Sequence, residues 1–241
     1  MGRVRALPPR LRALAAGAVL LTVGALAVLG ATLAGGADEA PSTAALADHP
    51  GAQLLQNPLP NPEATGFHGA VLAEPIPRPD FALTDTDGGR FDFAEETAGE
   101  PTLLYVGYTS CPDICPAHLA QVAGAMAEAG LDTDELRVVF VTADPARDDA
   151  ERLERYLAAF DDGFTGLTGS PEEVDAALAA LGQPAAEVFG ERPDGSYEVT
   201  HPSQVLAFGP DDRARLVFPF GTSREGWVAD LPRLVAGEVP S

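Results

Sequence analysis

The chain has 241 residues and carries 36 acidic residues against 15 basic ones, all of them arginine, for a formal net charge of −21 at pH 7. Its hydrophobic fraction of 46% is sufficient for a globular core, and its length allows one sizeable domain plus shorter segments. Such an acidic chain is repelled by the phosphates of nucleic acid, which excludes nucleic acid as a partner.

The first apolar segment predicts a membrane anchor. Four arginines precede residues 13–37, a stretch of 25 residues without charge. This stretch is long enough to span a bilayer and too long for a typical signal-peptide core. The arginines before it predict that residues 1–12 are cytoplasmic and that the rest lies on the extracytoplasmic face. We therefore expect a single-pass membrane protein; cleavage near Gly35-Gly36-Ala37 is the alternative and would give a secreted form.

Two regions follow the anchor. Residues 38–65 are rich in Ala, Pro, Asn and Gly, which predicts a flexible tether, and residues 66–241 are expected to fold. Strands are predicted in an N-terminal hairpin over 81–93, at 102–108, at 136–142, and in a second hairpin at 204–208 and 215–218. Helices are predicted after the strand at 102–108, at 149–160, at 170–181 with a capping box, and at 223–235. Residues 182–200 are predicted to be an irregular insertion, and Pro232 is expected to kink or shorten the last helix.

This order of elements predicts a fold of the α/β class. Strands alternate with helices, and a β-hairpin and a final helix follow them. The arrangement is that of a thioredoxin-like mixed sheet flanked by helices. In open α/β sheets the chemistry lies beyond the carboxyl ends of the central strands, which is where the first of two cysteines falls.

The two cysteines, Cys111 and Cys115, lie between a buried strand and the helix after it. Pro116 suits the first helical position, which predicts Cys115 as the N-cap. The positive end of a helix dipole favours a thiolate over a thiol. A disulfide between residues four apart would constrain little of the unfolded chain, so a redox or metal-binding role is favoured over a structural one.

A histidine could complete a three-coordinate site with the two cysteines. Such a set suits Cu(I) better than zinc, which usually takes four protein ligands at a structural site. The candidates are His118, predicted to be exposed near a helix start, and His201, predicted to be extended because it precedes Pro202. Met126 is a soft ligand in principle, but it lies on the apolar face of the helix and is expected in the core.

Four segments together resemble one known family. They are Cys111-Pro-Asp-Ile-Cys115-Pro, Val-Thr-Ala-Asp144-Pro-Ala-Arg-Asp148, Val-Thr-His201 and Phe-Pro-Phe-Gly221-Thr-Ser. The chain resembles the Sco/SenC family of membrane-anchored, thioredoxin-like copper chaperones, which serve the copper A centre of cytochrome c oxidase. The resemblance implies that copper, as Cu(I) with Cu(II) as a second candidate state, is bound by Cys111, Cys115 and His201. It also implies supporting roles for Asp113, Asp144 and Asp148.

The same resemblance implies the partners, and the chain departs from the family's pattern at one point. The expected partner is the oxidase subunit that carries the copper A site, with other copper chaperones or thiol reductants as further candidates. The family commonly has Asp before the metal histidine and Ser or Thr after it, whereas this chain has Thr200 and Pro202. Loss of a carboxylate that orients the imidazole is expected to weaken copper binding. From the residues alone, Asp144 and Asp148 also fit a turn residue and a helix N-cap.

Enzyme alternatives compete with the metallochaperone. A thiol–disulfide oxidoreductase could reduce the cysteines of the oxidase subunit, although three intervening residues depart from the usual CxxC redox motif. A peroxidase of the peroxiredoxin type could use Cys111 as attacking thiolate and Cys115 as resolving thiol, but Thr109-Ser-Cys111 does not match that family's threonine spacing. The chaperone is the preferred hypothesis, so we expect a protein that is not primarily an enzyme.

Overall fold

The computed structural model describes residues 62–240. The strands are β1 (Ala70–Pro77), β2 (Ala82–Asp85), β3 (Arg90–Asp92), β4 (Thr102–Gly107), β5 (Arg137–Thr142), β6 (Thr165–Thr168), β7 (Val188–Phe189), β8 (Glu198–Val199), β9 (Val205–Phe208) and β10 (Arg213–Phe218). The helices are α1 (Pro62–Thr65), α2 (Phe93–Glu96), α3 (Ile114–Ala129), α4 (Ala150–Leu157), α5 (Pro171–Ala180) and α6 (Arg224–Val235).

Eight of these strands form one mixed sheet in the order β1-β10-β9-β4-β5-β6-β2-β3. Strands β4, β5 and β6 run parallel, and the other neighbours pair antiparallel. The remaining two strands, β7 and β8, form a separate antiparallel ribbon. The mixed sheet with its flanking helices confirms the predicted α/β class, and both predicted hairpins are present.

Strand β4 lies in the middle of the sheet, and all six of its residues are buried. Its unbroken apolar run fits this place, because a central strand that is covered on both faces cannot alternate apolar and polar residues. On one face of the sheet α3 and α6 pack together, and Phe218 stacks on Trp227 with ring centroids 3.9 Å apart. The carboxyl end of β4 is therefore held rigidly at the position where the cysteine segment begins.

The helix after β4 starts earlier than predicted. It begins at Ile114 with Asp113 as its N-cap, so the prediction of Cys115 as N-cap is wrong. Pro116 occupies the third helical position, where a backbone N–H has no intrahelical acceptor in any case, so the proline costs the helix no hydrogen bond. The first helical bond runs from the amide of Ala117 to the carbonyl of Asp113, at 3.3 Å. Cys115 is consequently inside the first turn.

Three further predictions needed correction. Strand β6 was not predicted, because Thr165-Gly-Leu-Thr168 holds only one large apolar residue, yet it pairs with both β5 and β2. The insertion at 182–200, predicted to be irregular, contains the ribbon β7–β8. Helix α6 continues past Pro232 to Val235, so the proline does not shorten it, while a kink at that position stays a prediction. The predicted capping box of α5 is confirmed, with Ser170 and Glu173 bonded reciprocally.

The predicted anchor at residues 13–37 and most of the tether at 38–65 lie outside the described residues. Only the last four tether residues are described, and they form the single turn of α1. Over residues 62–240 the structure contains no helix of the length and apolarity that crossing a membrane requires. The anchor and the domain boundaries thus remain predictions.

Candidate metal centre

Cys111 and Cys115 lie at the junction of β4 and α3. The amide of Cys111 donates to the carbonyl of Tyr108 at 3.1 Å, which turns the chain back over the end of the strand. The amide of Cys115 donates to the sulfur of Cys111 at 3.5 Å. Both thiols are free, and Cys111 retains 9% exposure whereas Cys115 is completely buried. The two sulfurs thus face each other across the first turn of α3.

A glycine in β4 makes room for the second sulfur. A Cβ at Gly107 would lie 2.7 Å from Sγ of Cys115 and 2.9 Å from Cε2 of Phe140. Both distances are far below van der Waals contact, so this position requires glycine. The resemblance did not single out Gly107, although a glycine that interrupts a buried strand is a recognised signal of a close approach.

His201 completes the cluster. Its Nε2 lies 3.9 Å from Sγ of Cys111 and 3.7 Å from Sγ of Cys115. One ligand atom from each of the three residues falls within 4.8 Å of the other two, and residues 62–240 hold no second group of His, Cys, Asp and Glu of this kind. The structure therefore brings together the three residues that the resemblance implied as copper ligands.

The orientation of His201 follows from its other ring nitrogen. Nδ1 lies 3.2 Å from the carbonyl of Val106 and 2.8 Å from that of Pro202. A carbonyl can only accept, so Nδ1 carries the proton and Nε2 turns its lone pair toward the sulfurs. Backbone carbonyls thus supply the orienting contact expected from a neighbouring carboxylate. Thr200 instead belongs to the ribbon, where its hydroxyl accepts from the amide of Glu187 at 2.8 Å.

The two thiols ionise as a coupled pair. A hydrogen bond from the thiol of Cys115 lowers the pKa of Cys111 to about 4, against the opposing effect of burial, and the backbone amides of Cys115 and Asp113 lower it further. The pKa of Cys115 is raised, first because its thiol is the donor in that bond and then because it is buried. At neutral pH the pair therefore holds one thiolate, on Cys111, and one proton, on Cys115.

Tyr105 also contacts the pair, and the sequence analysis did not identify it. Its ring is buried in β4, and its hydroxyl donates to Sγ of Cys115 at 3.4 Å. Burial raises the pKa of Tyr105, so the phenol keeps its proton. The signal in the sequence was a phenol in an otherwise apolar strand, two residues before Gly107 on the same face.

Asp148 forms hydrogen bonds with the segment that leads to Cys111. It is not the N-cap of α4, which is Asp149. Its fully buried carboxylate accepts from the amide and hydroxyl of Thr109, at 2.8 and 2.6 Å, and from the hydroxyl of Thr142 at 2.8 Å. Its two hydrogen bonds from Thr109 fix that residue, which lies two positions before Cys111. Asp148 thus acts on the backbone of the segment and lies outside the ligand cluster.

Asp144 ties the ribbon to the loop after β5. It is buried, forms an ion pair with Arg147 and accepts from the hydroxyl of Tyr197 at 3.0 Å. The guanidinium of Arg147 lies 3.5 Å from the centroid of the Tyr197 ring. Tyr197 precedes His201 by four residues, so this group of side chains fixes the segment that carries the imidazole.

Asp113, the third supporting residue implied by the resemblance, is exposed at the N-cap position of α3. Its side chain makes no capping hydrogen bond, and its carboxylate is not part of the ligand cluster. Its contribution to the site is its backbone amide, which helps to lower the pKa of Cys111.

His118 is buried, so the prediction of an exposed side chain is wrong. Its ring packs edge-on against Tyr105 at 5.0 Å and against Phe220 and Trp227, both at 5.8 Å. Among residues 62–240 neither ring nitrogen has a hydrogen-bond partner. Burial lowers the pKa of His118 to about 4. The prediction failed because α6 covers this side of α3. Met126, by contrast, lies in the core as expected.

The donor set suits a soft monovalent cation. Two sulfurs and one imidazole nitrogen converge within bonding reach of one ion, in a site with little exposure to water. Thiolates favour Cu(I) over harder ions, and three donors fall one short of a structural zinc site. The carboxylates of Asp144 and Asp148 are engaged by structural partners, and within residues 62–240 the cluster includes no carboxylate.

Comparisons with known proteins place the chain in one family. The family model described as SCO1/SenC matches residues 73–236. A protein of Stutzerimonas stutzeri to which copper binding is ascribed is 33% identical over 161 residues, which are 66% of this chain and 78% of that protein. The mitochondrial SCO2 homologue of Danio rerio is 35% identical over 139 residues, 55% of this chain and 47% of that protein. The chain thus spans about half the length of the vertebrate relative.

Solved structures match the domain almost completely. Copper-bound ScoI of Bradyrhizobium japonicum is 31% identical, with a TM-score of 0.58, over 66% of this chain and 99% of that one. The apo Sco1 protein of Thermus thermophilus is 32% identical, with a TM-score of 0.60, over 70% of this chain and 98% of that one. These likenesses establish the thioredoxin-like fold for the described domain.

Proposed function

Since the chain belongs to the SCO1/SenC family, we propose that it is a copper chaperone that takes part in the assembly of cytochrome c oxidase. The observation that carries this proposal is the convergence of Cys111, Cys115 and His201 at the end of β4. The copper-bound Sco structure from Bradyrhizobium japonicum adds support. We further propose that copper passes to the subunit with the copper A site, from a domain anchored on the extracytoplasmic face by residues 13–37.

The ionisation of the pair indicates how copper would be taken up. The Cys111 thiolate is both charged and the more exposed of the two sulfurs, so it makes the first bond to an arriving Cu(I). Binding of the cation displaces the proton of Cys115, and the lone pair on Nε2 of His201 adds the third bond. Oxidation of the two thiols to a disulfide would remove both sulfur ligands, so copper loading requires the reduced pair.

Release would begin with the more exposed ligands. His201 and Cys111 lie at the surface of the site, whereas Cys115 is buried beneath them. Incoming ligands from a partner would therefore replace the outer two bonds while Cys115 still holds the ion. Stepwise ligand exchange keeps Cu(I) bound throughout the transfer.

Copper titration of the full-length, reduced protein tests the proposal. We would measure Cu(I) stoichiometry and affinity by chelator competition for the wild type, Cys111→Ser and His201→Ala. His118→Leu is the matched control, because it removes a nearby histidine outside the ligand cluster. One copper per chain is expected, lost with the cysteine, weakened with His201 and unchanged in the control. Undiminished stoichiometry in Cys111→Ser would refute the site.

A thiol–disulfide oxidoreductase is the second candidate, favoured by the lowered pKa of Cys111 beside the Cys115 thiol. The Cys111 thiolate would attack a disulfide of the client and release one client thiolate. Cys115 would then displace the second client sulfur, leaving the client reduced and the pair as a disulfide, which an external dithiol must reduce again. Turnover of a disulfide-bonded copper A subunit with excess dithiol tests this. Absence of turnover would remove the candidate.

A further inference from the structure

Within residues 62–240 the side chain of Tyr105 makes one hydrogen bond, and it is to the sulfur of Cys115. The side chain is 1% exposed, and its hydroxyl has no other acceptor within residues 62–240. The ring is held edge-on by His118, Phe140 and His201, at centroid distances of 5.0, 5.7 and 6.4 Å. With the ring confined on three sides, the hydroxyl is directed at one atom.

The two sulfurs of the site differ in their donors. Cys111 is served by backbone amides at the start of α3, those of Cys115 and Asp113. Cys115 lies one turn deeper and receives the Tyr105 hydroxyl and the backbone amide of Tyr108. A buried thiolate without donors is strongly disfavoured, because burial removes the water that would solvate its charge. Cys115 therefore depends on the side chain of Tyr105 in a way that Cys111 does not.

We propose that Tyr105 is a positioning residue that holds the sulfur of Cys115 and stabilises it as the buried copper ligand through its hydroxyl. The part of this inference that concerns copper rests on the proposed function. The hydrogen bond also stabilises the reduced cysteine pair in the absence of metal. The hydrogen bond from Tyr105 becomes stronger when the sulfur of Cys115 becomes negative, since hydrogen bonds to ionised groups are stronger than those to neutral groups.

The chain offers a matched control in Tyr156. Its hydroxyl is also buried but has no hydrogen-bond partner in the described part of the chain, and its ring lies 6.0 Å from that of Phe140. Tyr105→Phe and Tyr156→Phe thus remove the same buried atom from the same neighbourhood. Only the first removes a donor from sulfur, so a difference between the two variants reports the hydrogen bond and not the loss of a hydroxyl.

Two measurements on the full-length protein test the proposal. The first is Cu(I) affinity by chelator competition, where Tyr105→Phe should weaken binding about tenfold at an unchanged stoichiometry. The second is the midpoint potential of the Cys111–Cys115 dithiol–disulfide couple without copper. There a tenfold loss in stability of the reduced pair makes the potential ~30 mV more negative. Tyr156→Phe should match the wild type in both.

The outcomes separate the two proposals. If the wild type binds no copper but Tyr105→Phe still shifts the potential, the proposed chaperone function is wrong. The role of Tyr105 in holding the sulfur of Cys115 in the reduced pair is then still supported. Equal values for Tyr105→Phe and Tyr156→Phe in both measurements would overturn the inference. Tyr105→Met serves as a second variant, since it also lacks the donor and its flexible side chain refills the space. A wild-type potential and affinity in that variant would equally overturn it.

Discussion

The sulfur of Cys115 occupies the space that a side chain at Gly107 would need. The two residues belong to different elements, β4 and the first turn of α3, and a Cβ on Gly107 would come within 2.7 Å of that sulfur. The second contact of such a Cβ, the ring of Phe140, is also buried and cannot yield. The buried position of the Cys115 sulfur therefore depends on the absence of a side chain at Gly107.

Gly107→Ala is expected to destabilise the fold and displace Cys115. Overpacking of a closed core typically costs ~1–3 kcal/mol, and here the displaced atom is a proposed ligand. Urea unfolding of the apo protein should show that loss, and Cu(I) affinity should fall with it. Gly209→Ala is the control, because its nearest neighbour is the carboxylate oxygen of Asp211 at 3.1 Å, on an exposed side chain that can move. Similar losses in both variants would contradict the steric argument.

Two adjacent aspartates are expected to differ sharply. Asp148→Asn keeps the shape but removes the charge that accepts three hydrogen bonds in a fully buried place, and should cost ~2–4 kcal/mol in the free energy of unfolding. Asp149→Asn should cost less than ~0.5 kcal/mol, since asparagine is an equally good N-cap for the amide of Arg152. Denaturant melts of the two variants provide the measurement. A larger loss of stability for Asp149→Asn than for Asp148→Asn would contradict the assignment of Asp148 as the more important structural residue.

Much of this arrangement could be predicted from the sequence, and the failures share a cause. Long apolar runs and the capping box at Ser170 specify their elements locally, so β4, β5, both hairpins and α5 were predicted correctly. The start of α3 was misplaced, because Pro116 is tolerated anywhere in the first turn. The burial of His118 depends on α6, about a hundred residues away, and the bond from Tyr105 depends on the depth of Cys115. Such features arise from tertiary contacts that periodicity does not encode.

Copper binding at neutral pH is expected to release one proton. Because the pKa of Cys111 is lowered to about 4 and that of Cys115 is raised, only Cys115 still carries its proton at pH 7. The apparent Cu(I) affinity should consequently rise about tenfold per pH unit between pH 6 and 8. Calorimetry in buffers of different ionisation enthalpy counts the protons. Release of two protons would mean that Cys111 is also a thiol at neutral pH, contrary to the hydrogen-bonding pattern at its sulfur.

Acid should destabilise the protein through His118. Burial lowers the pKa of His118 from 6.5 to about 4 in the folded chain, so below pH 6.5 the unfolded chain takes up a proton that the folded chain refuses. Stability contributed by the neutral imidazole is therefore complete above pH 6.5 and falls as the pH drops toward 4, by ~2 kcal/mol at pH 5. Carboxylates titrate in the same range, so the informative quantity is the difference from a variant that lacks the imidazole.

His118→Leu provides that difference. The substitution fills the same apolar space among Tyr105, Phe220 and Trp227 and removes two ring nitrogens that have no partner. At pH 7.5 the variant should be at least as stable as the wild type, because an unsatisfied buried polar group costs ~1–3 kcal/mol. Between pH 7.5 and 5 its advantage should grow by ~2 kcal/mol, as measured by urea unfolding at both values. An advantage that stays constant with pH would show that the His118 ring is protonated as readily in the folded chain as in the unfolded one.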